Sequence, residues 1–185
     1  DGMAVHLPGP ASPFNGTLTA AQVKMTKDDK LLVCGTTNSS AFSVIRFNPD
    51  GSRDESFGVD GQAVAEVGFG FQVWDMDLQP DGKILVFGEI RHAGDPVFAI
   101  ARLNQDGSLD NTWANNGLMK HDIGFYDSSI RLGASQSDGK ALALGIRVLE
   151  DGSSETVVTR YLKNGTLDTS FGVDGMQIMD LGAEN

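Results

Sequence analysis

The stretch NPDGSRDESFGVDG, residues 48–61, decides the architecture because it recurs as NQDGSLDNTWANNG at 104–117 and as LKNGTLDTSFGVDG at 162–175. Gly51, Gly107 and Gly165 lie 56 and 58 residues apart, and Gly61, Gly117 and Gly175 keep the same interval. Arg46, Arg102 and Arg160 follow it too. A period of this size marks a repeat architecture, in which each unit buries its apolar face only by stacking on a neighbour.

Working outward, a second block precedes the first in every copy: KDDKLLVCG around Lys30, QPDGKILVFG around Lys83 and QSDGKALALG around Lys140. These lysines are 53 and 57 residues apart, and each stands five residues before Gly35, Gly88 or Gly145. The opening DGMAVHL aligns with DGQAVAEV at Asp60, with NGLMKHDI at Asn116 and with the closing DGMQIMDLG at Asp174. The chain therefore reads as a single repeat domain over 1–185, with repeats near 1–59, 60–115 and 116–173 and an extra C-terminal strand at 174–182. It opens in mid-repeat at Asp1 and Gly2, which points to a piece of a longer protein.

Each repeat carries four short strand-like runs bounded by Gly, Pro, Asn and Asp. In the second copy they are Ala63 to Val67, Phe71 to Leu78, Lys83 to Phe87 and Val97 to Leu103. Trp74, Met76 and Leu78 alternate with Asp75 and Asp77, the period-two pattern of a half-buried strand. The run Ile84, Leu85, Val86, Phe87 is apolar throughout and predicts a strand covered on both faces. Pro80-Asp81-Gly82 between these two runs is a hairpin signal, since glycine supplies the positive φ of a tight turn. The fold class expected is all-β, a propeller-like array of three four-stranded antiparallel blades plus the C-terminal strand.

Composition narrows the function classes. The formal charge of −11 repels phosphate backbones and anionic headgroups, which argues against nucleic acid and membrane surfaces as partners. The 23 glycines among 185 residues imply many tight turns. Cys34 is the single cysteine, so no intrachain disulfide forms, and its place in Leu31-Leu32-Val33-Cys34 reads as a small buried hydrophobe. No signal-peptide pattern or long apolar span appears, and membrane insertion is not expected.

The order QPDGKILVFG, then FAIARLNQDGSLDNTW, then SFGVDG resembles the delta-60 repeat family, a bacterial repeat of unknown function regarded as β-propeller-like. The resemblance covers nearly the whole chain. It implies a secreted or surface-attached bacterial protein, with no catalytic residues to carry over. The chain departs from the pattern at Asp28-Asp29-Lys30 in the first copy, at Trp113 and Ala114 in the second, and at Gly133 and Ser135 in the third.

Asp54, Asp110 and Asp168 each follow the repeated arginine by eight residues, past a tight turn. A pair repeated in every blade marks no single active site, so Arg46, Arg102 and Arg160 with these aspartates read as structural ties of bidentate geometry. Asn48, Asp50, Ser52 and Asp54 put oxygens at alternate positions, but glycine falls fourth rather than sixth and no closing Glu follows, so a solvated Asp-Gly turn is favoured over calcium. His6 and His121 share a repeat position and read as exposed residues of an outer strand, and His92 as a surface loop residue. With no nucleophile motif, no phosphate loop and no distinguished carboxylate pair among Asp75, Asp77 and Glu66, the sequence predicts no enzyme, no cofactor and no metal.

The copies differ in the loops that lead into the alternating strand. The first has about six extra residues in PGPASPFNG, 8–16, presenting Phe14; the others carry Phe69 and Phe71, and Phe125 and Tyr126. Equivalent loops share one end of a propeller, so these aromatics are candidates for a sugar-stacking surface, with filling of gaps between blades as the structural alternative. The functional expectation is a non-enzymatic bacterial surface recognition or adhesion module binding a glycan or cell-surface ligand. The alternative is a purely structural spacer or assembly unit, and a hydrolase ranks last. Three blades are too few for the usual four to eight of a closed ring. That leaves a longer array, or a homo-oligomer, dimer or trimer, completing a ring or fibre.

Overall fold

The computed structural model describes residues 18–37, 41–66, 71–92, 95–123 and 126–179, all of it strands and turns. The strands are β1 (Leu18–Met25), β2 (Leu31–Thr37), β3 (Ala41–Phe47), β4 (Gln62–Glu66), β5 (Gln72–Leu78), β6 (Ile84–His92), β7 (Asp95–Leu103), β8 (Leu118–His121), β9 (Tyr126–Ser135), β10 (Ala141–Val148), β11 (Ser154–Tyr161) and β12 (Met176–Met179). They form three antiparallel sheets in the orders β1-β2-β3-β4, β5-β6-β7-β8 and β9-β10-β11-β12. No ring closes among the described strands. The architecture is all-β and propeller-like.

Each sheet begins one strand later than the sequence repeat does. The DGQAVAEV strand is the fourth strand of the first sheet, and the strand expected to stand apart at the C-terminus is β12, which completes the third sheet. The reason is connectivity: the short β4–β5 and β8–β9 links carry the chain from the outer edge of one blade to the inner edge of the next.

Two apolar layers hold the three sheets together. Leu32, Cys34, Phe42, Val44 and Phe57 of the first sheet meet Phe71, Val73, Met76, Ile84 and Val86 of the second. Leu85, Phe87, Phe98, Ile100 and Trp113 then face Ile130, Ala141, Ala143, Val157 and Tyr161 of the third. The continuously apolar run 84–87 is thus divided: Ile84 and Val86 serve one layer, Leu85 and Phe87 the other. Covering both faces removes four large side chains from water, at roughly 1.5–3 kcal/mol each.

The repeated glycine after that run is not a strand end. β6 continues through Gly88 to His92, because Gly88 lies opposite a β-bulge at Trp74, between the pairs Val73↔Gly88 and Asp75↔Phe87. The same bulge falls at Ala21 in β1 and at Arg131 in β9, opposite Gly35 and Gly145. A Cβ on Gly88 would collide with the Gln72 carbonyl oxygen, as one on Gly35 would with that of Thr19 and one on Gly145 with that of Ser129. Glycine is needed here for close backbone approach.

The departures from the repeat pattern also find causes. Gly133 leaves room for the Phe87 ring, which a Cβ would strike. Ala114 adopts φ +47°, where its counterparts Gly58 and Gly172 have +59° and +58°. An alanine in that region is strained by about 1–2 kcal/mol. Asp29 takes φ +59° at the position of Gly82 and Gly139, a conformation that short polar side chains tolerate. Two substitutions should therefore act in opposite directions in urea denaturation: Gly88→Ala lowers stability by about 3 kcal/mol through a clash with backbone that cannot yield, whereas Ala114→Gly raises it by about 1 kcal/mol.

Candidate functional site

The end of the molecule that carries the DGK and NxDG turns is occupied by one cluster, built three times. Arg46 Nε donates to Asp54 Oδ2 at 2.7 Å, and Arg102 to Asp110 and Arg160 to Asp168 at 2.8 Å. The other carboxylate oxygen accepts from the hydroxyls of Ser56, Thr112 and Ser170 at 2.6 Å. The lysine of the DGK turn completes each cluster, with Nζ 2.8, 2.5 and 3.5 Å from Asp54, Asp110 and Asp168. Each guanidinium also lies over an aromatic ring, 4.5 Å from Phe57, 5.2 Å from Trp113 and 4.6 Å from Phe171. Sequence reasoning placed the arginine and aspartate together but gave the lysine no role; its constant five-residue distance from the bulge glycine was the available signal.

The first two clusters also join neighbouring blades. Arg46 Nη1 donates to the Gln105 carbonyl at 2.7 Å, and Arg102 Nη1 to the Lys163 carbonyl at 3.1 Å. The backbone N–H of Gly58 donates to Asp106 O at 2.7 Å, and that of Ala114 to Asn164 O at 2.9 Å. Phe57 packs on Gly107 and Trp113 on Gly165, so closely that a Cβ on either glycine would crowd the ring. A guanidinium with several donors in a rigid fork suits this double duty better than an ammonium.

Electrostatics follow the geometry. Hydrogen bonds from Lys30 and Ser56 hold the Asp54 carboxyl far below the usual carboxylate range, with Arg46 adding to them. At Asp110 burial pushes the other way, and Lys83, Thr112 and Arg102 outweigh it. Asp168 is lowered to about 2, chiefly by the Ser170 hydroxyl against burial.

At the inner strands a second set of ties spans all three blades. The buried Asp75 accepts from Gln22 Nε2 at 2.9 Å and from the Gly133 N–H at 2.8 Å. Asp77 pairs with Lys24 at 3.2 Å and accepts from the Ser135 N–H at 2.7 Å. These two carboxylates, which alternation alone left as unremarkable strand residues, bridge the first, second and third inner strands.

The opposite end of the sheets carries the links that vary between copies: 38–40, 67–71, 93–94, 122–125 and 149–153. Phe14, Phe69 and Phe125 lie outside the described residues, as does His6, and for Tyr126 and His92 only the strand backbone is described. Phe71 is a correction to the sugar-stacking expectation. It is fully buried, with its ring centroid 5.3 Å from that of Phe42, because it starts the strand that the first sheet covers. His121 is likewise not an exposed residue: it is half-buried, its Nδ1 stands 2.9 Å from the Tyr161 hydroxyl, and burial lowers its pKa. Burial pushes the Cys34 thiol up to about 12, leaving it inert as a nucleophile. In the Asn48–Asp54 run, Asp50 accepts from the Ser52 N–H and hydroxyl at 2.9 and 2.6 Å. No group of three metal-ligating side chains is present among the described residues.

Close to the variable end, two bulge residues meet. Arg131 lies 4.6 Å over the Trp74 ring, and the Trp74 indole N–H donates to Glu89 at 3.2 Å. Bulges re-aim side chains and often border functional sites. The group combines a half-buried aromatic, a cation and a carboxylate, and it is the candidate site that the sequence did not single out. Its one signal was that Ala21, Trp74 and Arg131 repeat the 53 and 57 spacing of the lysines.

Arg102→Ala should cost about 3 kcal/mol in chemical denaturation, since it takes one of two cations from a buried carboxylate and cuts the bond to the Lys163 carbonyl, whereas Arg160→Ala costs about 1 kcal/mol because Arg160 is the more exposed arginine and, among the described residues, ties no other blade. Folding holds these aspartates below their ordinary value of 3.8, so their contribution is complete above pH 4 or so and is lost as the pH falls toward about 2. A thermal-unfolding series from pH 7 to pH 2 should show the midpoint flat to about pH 4.5 and falling below it.

The comparison with known proteins agrees with this geometry. The family model described as a domain of unknown function (DUF5122) beta-propeller matches residues 26–57, 79–112 and 136–171, one segment in each sheet, running from the DGK turn to Phe57, to Thr112 just before Trp113, and to Phe171. No curated protein matches the chain. The matched segments contain every residue of the three Arg–Asp–Lys clusters and span more than half the sequence, and the chain belongs to the DUF5122 β-propeller family.

Proposed function

We propose that this chain is a non-enzymatic bacterial recognition module, secreted or displayed on the cell surface, that offers the loops at one end of its sheets to a glycan or another cell-surface ligand. The observation that carries the reading is the division between the two ends. Everything repeated is engaged in holding strands and blades together, while the links at the opposite end differ in length and composition from copy to copy. Variable loops on a rigid β scaffold are a common site of recognition. Trp74 beside Glu89 supplies what a sugar ring requires, an aromatic face and a hydroxyl acceptor, at that end.

The burial of Phe71 favours a second reading, in which the aromatics leading into the inner strands only fill space between blades and the protein is a structural repeat. A glycan-array screen separates the two. Binding to a defined glycan class, weakened about tenfold by Trp74→Ala with the fold intact by circular dichroism, supports recognition. Absence of binding to every glycan and to bacterial and host cell surfaces overturns it in favour of the structural repeat.

A further inference from the structure

What the fold requires is present at both junctions inside the chain: an arginine reaching a carbonyl of the next blade, a backbone N–H doing the same, and an aromatic ring on a turn glycine. Among the described residues, the group of Trp74, Glu89 and Arg131 occurs at the second junction only. The bulge that positions it recurs in every inner strand, but its residue is Ala21 in the first blade, Trp74 in the second and Arg131 in the third. The residue after the repeated glycine is likewise Thr36, Glu89 or Ile146. The first junction therefore has Ala21, Thr36 and Trp74 at these positions, with no charge among them, yet the same ties align its blades. A constant backbone device that carries changed side chains points away from a packing requirement.

Arg131 also differs from the arginines that hold the fold. Arg46, Arg102 and Arg160 each pair with an aspartate, and Arg147 pairs with Glu155. Arg131 is exposed and, among the described residues, pairs with no carboxylate; its contact is the Trp74 ring, 4.6 Å away. Stacking on a half-buried ring holds the planar fork in place before anything binds, which lowers the entropy cost of engaging it. Glu89 Oε2 accepts the indole N–H at 3.2 Å, and no ion pair joins Glu89 to Arg131. The indole thus carries a cation over its face and a carboxylate at its edge, and each charge keeps capacity for a ligand.

We propose that this junction binds an acidic sugar, a ring bearing one carboxylate, with Arg131 taking the carboxylate and Glu89 accepting ring hydroxyls. The inference rests on the recognition reading above and names its ligand class. A guanidinium and a carboxylate match through two parallel N–H···O bonds, a geometry that an ammonium does not offer. A sugar acid carries hydroxyls on the same ring as its carboxylate, so one residue of a glycan meets both charges. The net charge of −11 limits how anionic the ligand is: a polysulfated chain is repelled by the field of the whole protein, whereas a single carboxylate is met at short range by Arg131.

The test is an array of matched glycans, each present once with a terminal uronic or sialic acid and once with that acid as its methyl ester. The unsubstituted chain should bind acid forms about tenfold more tightly than their esters, and added salt should weaken the acids alone. Arg131→Gln changes an exposed side chain, so the fold stays intact by circular dichroism; it should weaken the acids about tenfold and leave the esters unchanged. Arg131→Lys keeps the charge without the fork and should recover only part of the loss. Equal weakening of acid and ester by Arg131→Gln marks a structural stack and overturns the proposal. Preference for neutral, sulfated or phosphorylated glycans overturns it too, while leaving the recognition reading in place. Absence of binding to every glycan removes that reading and this inference together.

Discussion

A β-sheet with two apolar faces cannot rest in water on either side, and that constraint generates the rest of this molecule. The middle sheet meets it by packing Ile84 and Val86 against the first sheet and Leu85 and Phe87 against the third. Apolar contact alone, however, fixes neither spacing nor rotation between sheets. Those are fixed by polar ties at both levels of the stack: Asp75 and Asp77 across the inner strands, and Arg46 and Arg102 reaching from their own aspartates to a carbonyl of the next blade. The ties are affordable in a buried setting because Asp54, Asp110 and Asp168 are each met by two cations and a hydroxyl, and Asp75 by the Gln22 amide and the N–H groups of Met76 and Gly133.

Much of this was legible in the sequence, for a physical reason. A repeat multiplies each weak local signal by three, and the fixed eight-residue step from arginine to aspartate is too regular to be a surface accident. The continuous apolar run after Lys83 gave the two-sided strand correctly, whereas the alternation through Trp74–Leu78 did not mark a one-sided one: Asp75 is buried between the sheets and Trp74 and Leu78 are only half-buried. What the sequence could not supply was register. A bulge changes which way a side chain points without changing its composition, so the Trp74–Arg131 stack was invisible, and Gly88 looked like a strand boundary when it is the residue that lets a bulged partner approach.

Blade limits were misplaced by one strand for a related reason. The repeat in sequence is a period, and a period has no intrinsic beginning; hydrogen bonding between β3 and β4, β7 and β8, and β11 and β12 sets where each sheet starts and stops. Phe71 shows the same limit at one residue. Next to a variable link its neighbours suggested display, but the pairing of β5 with β6 turns the ring inward onto Phe42.

The segregation of the two ends has a consequence for how such a chain changes over time. Insertions between β2 and β3, β6 and β7, or β10 and β11 lengthen a loop whose closure entropy grows only slowly with length, and they touch none of the groups that align the blades. Drift and duplication are thereby decoupled: a copied blade arrives with its alignment hardware complete, and its far rim is free to diverge without cost to folding. The protein is in that sense a scaffold on which new surfaces accumulate by repetition rather than by redesign.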